Sequence, residues 1–465
     1  MLPPSLPSLG PVCRSSPKKS APKGLRTRCR LASPLRSTLP QPAPSLRRIL
    51  LIGYGPPAPG RFPMPHPLNR LEEITMAGAR FDGLDIEILR SRKSEKWHAY
   101  PADVLPAWVA EMDFPIATPI QQALKRALDS WDVGYPIAPG NTGIREAFAD
   151  RMEERFGWSV NPRQIEVLSE VVQGLYLAIG AFTSPGESVV VQPPIYPPFL
   201  LGVKESGRRL VENPLVQQPG GWEIDFDALA GSIDPTTKLF LLCNPHNPSG
   251  RVLTRTELER LAELVLEKDL TVVSDEIHAD LVFNGGQHIP FASLAPEIEA
   301  RTLTLNSASK SFNIAGLRCA VGHFGSDALR KRFDGHSSRH QRGGLGIQGL
   351  YATIAAWREG QPWLDEAVAY LEANRNYLMG ELETRFPDIR CTPAEGTYLA
   401  WLDCSALGWP GSPSTRFLDR GKVALSDGIN FGAGFENFVR LNFATSREIL
   451  EQVLVRMETA IQGPD

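Results

Sequence analysis

From about Asp82 onward the chain alternates short apolar runs with longer stretches of helical period. The short runs are "IEVLS" at 165, "SVVVQ" at 188, "KLFLLC" at 238, "LTVVS" at 270 and "TLTLN" at 302. Near-continuous apolar runs suit strands covered on both faces, which is the signature of a parallel sheet. Between them lie amphipathic stretches. "TPIQQALKRALDSW" places Ile120, Leu124, Ala127 and Leu128 on one face, with Thr118 as expected N-cap and Pro119 at the first helical position. "TGIREAFADRMEERFGW" turns Ile144, Ala147, Phe148 and Met152 inward, and "TRTELERLAELVLEKD" opens on a Thr254–Glu257 capping-box pattern. The pattern predicts an α/β fold around a mostly parallel sheet.

After about Gly343 the rhythm changes to long helices, "LDEAVAYLEANRNYLMGELETRF" among them, then strand-like pieces near 397–403 and 438–443. We expect a basic extension over 1–75, an N-terminal segment over 76–117, a large domain over 118–340 and a smaller one over 341–465.

Composition refines this picture at one end. Residues 1–71 carry twelve Lys and Arg and no Asp or Glu, so the net charge of −3 hides a body near −15. An acidic body argues against general nucleic-acid binding. The Pro-, Ser- and Arg-rich extension has no hydrophobic period and is expected to be disordered. It reads as a transit peptide, as a basic tail, or as sequence upstream of a true start at Met64 or Met76. No apolar run reaches the ~18 residues of a membrane span. The six cysteines, at 13, 29, 243, 319, 391 and 404, have neither paired nor metal-type spacing, which suggests reduced thiols in a cytoplasmic protein and no metal site.

In open α/β sheets ligands bind beyond the carboxyl ends of the strands, so the residues just after each apolar run are informative. The five runs lead in turn into Glu170-Val171-Val172, Pro193-Pro194-Ile195-Tyr196, Asn244-Pro245-His246-Asn247, Asp275-Glu276-Ile277-His278 and Ser307-Ala308-Ser309-Lys310. Each piece alone has an ordinary reading: a turn lysine, a proline-rich loop, a capping acid, a packed tyrosine. Together they set an aromatic, an amide, an acid, an imidazole and a lysine on one rim.

That set suits pyridoxal phosphate. A lysine nucleophile bonds to an aldehyde, and an aspartate keeps the pyridine nitrogen cationic so that the ring can draw charge from a carbanion. Lys310 and Asp275 are the candidates. Asn247 can hold the phenolic oxygen with His278 nearby, and Tyr196 can stack on the ring. Ser307, Ser309, Arg318 and the Val171–Val172 backbone can hold the phosphate.

The stretches "CNPHNPSGRV", "VVSDEIHADLVF", "SASKSFNIAGLR" and "RLNFATSRE" resemble the fold type I pyridoxal-phosphate enzymes of the class I/II aminotransferase superfamily. With "LPAWVAEMDFP" and "QPPIYPPF" they resemble its MalY/PatB-type cystathionine β-lyase branch. The resemblance covers roughly residues 80–460. It implies a large domain with a mostly parallel seven-stranded sheet, plus a smaller C-terminal α/β domain. It further implies that Arg440 clamps the substrate carboxylate, and that Tyr135 reaches a partner subunit's site in a homodimer with shared active sites. Three departures stand out: Glu111 where the branch usually has Asp, "EVVQG" in the phosphate-binding turn, and Ser426-Asp427 where Asn-Pro is usual.

The expected reaction is β-elimination from cystathionine or another cysteine S-conjugate, giving pyruvate, ammonia and a thiol. Transamination to a 2-oxo acid uses the same residues and stays open. A regulatory role that retains the cofactor is the third reading. No helix-turn-helix pattern in the first 80 residues supports it.

Overall fold

The computed structural model describes residues 80–137, 142–338, 340 and 342–463. The basic extension, with Cys13, Cys29 and the two alternative start methionines, lies outside the described residues. The five apolar runs all become strands of one seven-stranded sheet. In chain order its strands are β1 (Ile165–Leu168), β2 (Ser188–Val191), β3 (Arg209–Glu212), β4 (Thr237–Cys243), β5 (Thr271–Asp275), β6 (Thr302–Asn306) and β7 (Ala320–Phe324). Their spatial order is β1-β7-β6-β5-β4-β2-β3, and only β7 runs antiparallel to its neighbours.

Alternation along the strands sends side chains to two different helical layers. Leu239 and Leu241 of β4, with Val273 and Leu305, pack toward the helices Val171–Phe182 and Pro197–Glu205. Phe240, Leu242 and Val272 pack toward Arg255–Glu267, whose capping box is present as expected. A sheet covered on both faces accounts for the almost fully buried strands.

The first long helix, Thr118–Asp129, has Ala117 rather than Thr118 as its N-cap. The helix takes in Thr118 as its first residue, a one-residue shift within the normal scatter of helix ends. Two strands were not expected as such. Arg209–Glu212 is a half-exposed edge strand with no apolar run, and Ala320–Phe324 carries a Gly-His interruption.

A second, antiparallel sheet has the order β8-β9-β11-β10, from β8 (Arg390–Cys391), β9 (Leu399–Asp403), β10 (Ser426–Asp427) and β11 (Phe438–Asn442). The N-terminal segment is stitched into this part of the chain. Leu105–Pro106 pairs in parallel with Val423–Ala424, and Asp113 N–H donates to Ala444 O at 3.0 Å. The stretch 105–117 therefore runs as a strap between the C-terminal sheet and the ends of the large-sheet strands.

Candidate active site

The strand ends converge on a cavity of about 400 Å³. Lys310, Asp275, Asn247, His278, Tyr196 and Arg440 all line it, as do Val171, Val172, Ser309 and Arg318. Of the residues expected at the site, Ser307 and Tyr135 stand apart. The Ser307 hydroxyl caps the short helix Ala308–Ser311 by accepting from Ser309 N–H at 3.0 Å, and it donates to Cys319 O at 2.6 Å. It thus supports Lys310 and Ser309 from beneath the cavity. Tyr135 is fully exposed on the single chain.

The loop carrying Asn247 is held from several sides. Gly250 closes it at φ +71°, and a Cβ there would lie 2.5 Å from the Cβ of Ala394. His246 shares a 2.7 Å hydrogen bond with Ser249. Tyr196 N–H donates to Asn247 O at 3.1 Å, locking the tyrosine loop to the amide loop.

After β5 the chain turns sharply. Asp275 Oδ1 accepts from Ile277 N–H at 3.1 Å, and Glu276 is buried among Ser274, His288 and Phe291 N–H at 2.9, 2.9 and 3.0 Å. The turn brings His278 back to the cavity, edge-on to Tyr398 at 5.9 Å.

The strap supplies the groups that side-chain chemistry did not reveal. Ala110 O accepts from Lys310 Nζ at 2.7 Å and from the Tyr398 hydroxyl at 3.0 Å. Trp108 O accepts from Arg440 Nη2 at 2.9 Å and from Ser426 Oγ at 2.8 Å. Asn442 Nδ2 fixes the strap through Val109 O and Glu111 O, both at 2.7 Å. A buried Lys96–Asp113 ion pair at 2.8 Å, joined by Trp97 Nε1, ties it down from the other side. The only sequence signal for this role was the strap's conspicuous "LPAWVAEMDFP" run, because backbone carbonyls leave none.

Burial dominates the electrostatics. It pushes Asp275 up from 3.8 to about 7, with Glu276 adding to the rise and Ile277 N–H and Lys310 opposing it. Burial pulls Lys310 down from 10.5 to about 8, helped by Arg440, while Glu111 and Asp275 oppose. His278 falls to about 3 through burial and then Lys310, and burial lowers Arg440 to about 10. Burial also raises Tyr196. No side-chain cation forms an ion pair with Asp275 among the described residues.

Arg440 Nη1 donates to Asn247 Oδ1 at 2.9 Å, while its Nε has no partner. His278 Nδ1 is likewise without one. A buried carboxylate short of a cation, a guanidinium short of an acceptor and a nucleophilic amine fit an aldehyde-bearing pyridine with an anionic amino-acid substrate. The N-terminal turn of Val171–Phe182 faces the cavity with Ser309 and Arg318, a donor set suited to an anion. Arg318 is ion-paired with Glu170 there.

The sequence profile of the aminotransferase class I and II family matches residues 109–457. The chain belongs to that family. Among its relatives is cystathionine beta-lyase PatB of Bacillus subtilis, 42% identical over 77% of this chain and 93% of that protein. The crystal structure of OvoB, 39% identical, superposes with a TM-score of 0.77 over 81% of this chain and 98% of its own. The PLP-bound C–S lyase from Staphylococcus hominis, 29% identical, also gives 0.77, over 82% of this chain and 98% of its own. The cavity is thus lined mostly by residues of the matched region, with Ser94 and Glu95 preceding it. Among the described residues no cluster of His, Cys, Asp or Glu could hold a metal ion, and no helix is long and apolar enough to cross a membrane.

Proposed function

We propose that the protein is a pyridoxal-phosphate-dependent C–S β-lyase, cleaving cystathionine or a related cysteine S-conjugate to pyruvate, ammonia and a thiol. The observation that carries the reading is the single cavity in which Lys310, Asp275, Asn247, Tyr196 and Arg440 meet from separate segments. The lyase names of several relatives favour elimination over transamination, which would use the same residues.

Pyridoxal phosphate supplies an electron sink for charge that develops at the substrate Cα. The chain's own groups do the rest. Asp275, which its protein surroundings leave near half-protonated at neutral pH, would gain its ionised form by facing a cationic pyridine nitrogen. Tyr196 would pack against the ring, and Asn247 Nδ2 and His278 would hold the phenolic oxygen. Val171 and Val172 N–H, Ser309 and Arg318 would hold the phosphate, with Ser307 positioning Ser309. Arg440, pinned by Asn247, Trp108 O and Ser426, offers its Nε N–H and the second Nη1 N–H to the α-carboxylate.

Lys310 takes the Cα proton in its neutral form, which a pKa near 8 makes accessible at neutral pH. The Cβ–S bond then breaks with its electron pair on sulfur, which picks up a proton to leave as thiol. The three-carbon fragment left behind is released as 2-aminoacrylate, and water converts it to pyruvate and ammonia.

A homodimer belongs to the same proposal. Leu128, Trp131, Val133, Tyr135 and Ile137 form an exposed apolar run, Trp131 at 88% and Tyr135 at 103% exposure. A run of this kind marks an interaction surface, and Tyr135 would reach from it to the neighbouring copy's site. Cytoplasmic residence is supported by Cys243, Cys319 and Cys404, all buried free thiols.

The test is turnover of L-cystathionine by the purified holoenzyme. Pyruvate and ammonia appearing with no 2-oxo acid present support the lyase. A strict requirement for a 2-oxo acceptor makes the protein an aminotransferase instead.

A further inference from the structure

Beside the cofactor cavity lies a second chamber of about 570 Å³. Arg440, Tyr196, Glu95 and Val109 line both, so the two are adjacent and Arg440 stands at their junction. Arg440 is 5% exposed and its Nε has no hydrogen-bond partner among the described residues. An amino acid held there by its carboxylate has the cofactor on one side. Its side chain beyond Cβ has the second chamber on the other.

The walls of that chamber have a definite chemistry. Tyr100 and Trp108 meet edge to face at 5.7 Å, and Trp108 Nε1 is fixed on Lys96 O at 3.3 Å. Phe431 lies under the Arg440 guanidinium at 4.9 Å. Two carboxylates, Glu95 and Asp427, also line it, and neither has an ion-pair partner among the described residues. Among the described residues Asp427 Oδ1 takes only the Ile429 N–H, at 3.4 Å. Among the described residues Arg440 is the single cationic side chain in the wall, at the end shared with the cofactor cavity. Aromatic faces with uncompensated carboxylates attract a cation and repel an anion.

We propose that this chamber selects substrates whose sulfur-side arm carries a positive charge, with Glu95 and Asp427 as the specificity-determining residues. The proposal rests on Arg440 being the α-carboxylate clamp of the lyase reading. A cysteine thioether ending in an ammonium or imidazolium group places its cation between the two carboxylates. The same thioether ending in a carboxylate alone meets two like charges there.

Binding of non-cleavable probes tests this apart from the chemistry. L-Lysine, L-norleucine and L-2-aminoadipate share an amino-acid head and similar arm lengths and end in a cation, a methyl and an anion. Titration of the holoenzyme, followed by its cofactor absorbance, is expected to give L-lysine a Kd at least about tenfold below that of L-norleucine, with L-2-aminoadipate weaker still. In the Asp427→Asn/Glu95→Gln double variant the lysine-to-norleucine ratio should fall toward one, and Asp427→Asn alone should move it part of the way. Equal or reversed affinities in the wild-type enzyme overturn the proposal, as does a ratio that survives the double variant. The lyase reading is separated by S-(2-aminoethyl)-L-cysteine, the thioether counterpart of lysine. If the probe ranking holds and this compound yields no pyruvate, the chamber stands and the lyase falls.

Discussion

Lys310 Nζ lies 2.7 Å from the carbonyl oxygen of Ala110, a residue 200 positions earlier in the chain. The same oxygen accepts the Tyr398 hydroxyl at 3.0 Å. The amine to which we assign the attack and the proton transfer is therefore held by a backbone carbonyl, and no carboxylate forms an ion pair with it among the described residues. Lys310→Ala should fold normally by circular dichroism and lose turnover by at least about 10³-fold, since it removes the general base as well as the covalent anchor. Retained turnover would place the base elsewhere.

Asp275→Asn separates stability from function in the cofactor-free protein. The folded carboxyl titrates near 7 against 3.8 for the free group, so the unfolded chain releases its proton first as pH rises. Stability then falls with pH between about 3.8 and 7 and stays low above that window. Replacing the carboxylate by an amide should stabilise the apoprotein at pH 8 by a few kcal/mol at most, roughly 1–4 kcal/mol. Urea unfolding at pH 8 measures it. Turnover of the reconstituted variant should fall, because an amide cannot hold the pyridine nitrogen cationic. A variant less stable than wild type at pH 8 contradicts this account of the buried charge.

Glu170 is ion-paired with Arg318 in the cavity wall, and in the proposed arrangement the cofactor phosphate would compete for the same guanidinium. Glu170→Gly should tighten pyridoxal phosphate binding by about tenfold and leave pyridoxal, which lacks the phosphate, nearly unmoved. Glycine is tolerated at a helix N-cap, so the substitution carries little structural cost. Fluorescence titration of the apoprotein with both compounds decides it.

These sites show what a sequence can and cannot disclose. The residues after β1, β2, β4, β5 and β6 were legible because apolar runs announce where a buried strand ends and the chemistry begins. The edge strand Arg209–Glu212 was not, since an edge needs no apolar run. Nearness to Lys310 points Ser307 at the phosphate, yet its hydroxyl caps a helix turn, and only the backbone direction tells Ser307 and Ser309 apart. Nothing in the residue types at 108 and 110 announces that their carbonyls hold Arg440 and Lys310. The Glu170–Arg318 pair joins residues 148 apart and depends wholly on the fold.

Arg440→Lys keeps the charge and loses the planar fork. Its guanidinium is held by Asn247, Trp108 O and Ser426, contacts that one ammonium cannot all replace. KM for the amino-acid substrate should rise by about tenfold or more, with a smaller change in kcat. A fall in kcat alone at unchanged KM would remove Arg440 from substrate binding.

Lys310→Ala and Tyr135→Phe chains, each defective alone, should regain activity when unfolded together and reassembled. Mixed dimers contain one site with both residues intact. No recovery, with mixed dimers demonstrated by mass spectrometry, would show that Tyr135 serves no neighbouring site.

The proposed chemistry turns on Lys310 being the covalent anchor around which Asp275, Asn247, Tyr196 and Arg440 are arranged. Reduction of the holoenzyme with borohydride, then protease digestion and peptide mass spectrometry, tests that claim directly. A single pyridoxyl-phosphate adduct is expected, on Lys310, in the peptide containing "NSASKSF". An adduct on another lysine, or none in a protein that retains its cofactor absorbance, would contradict it.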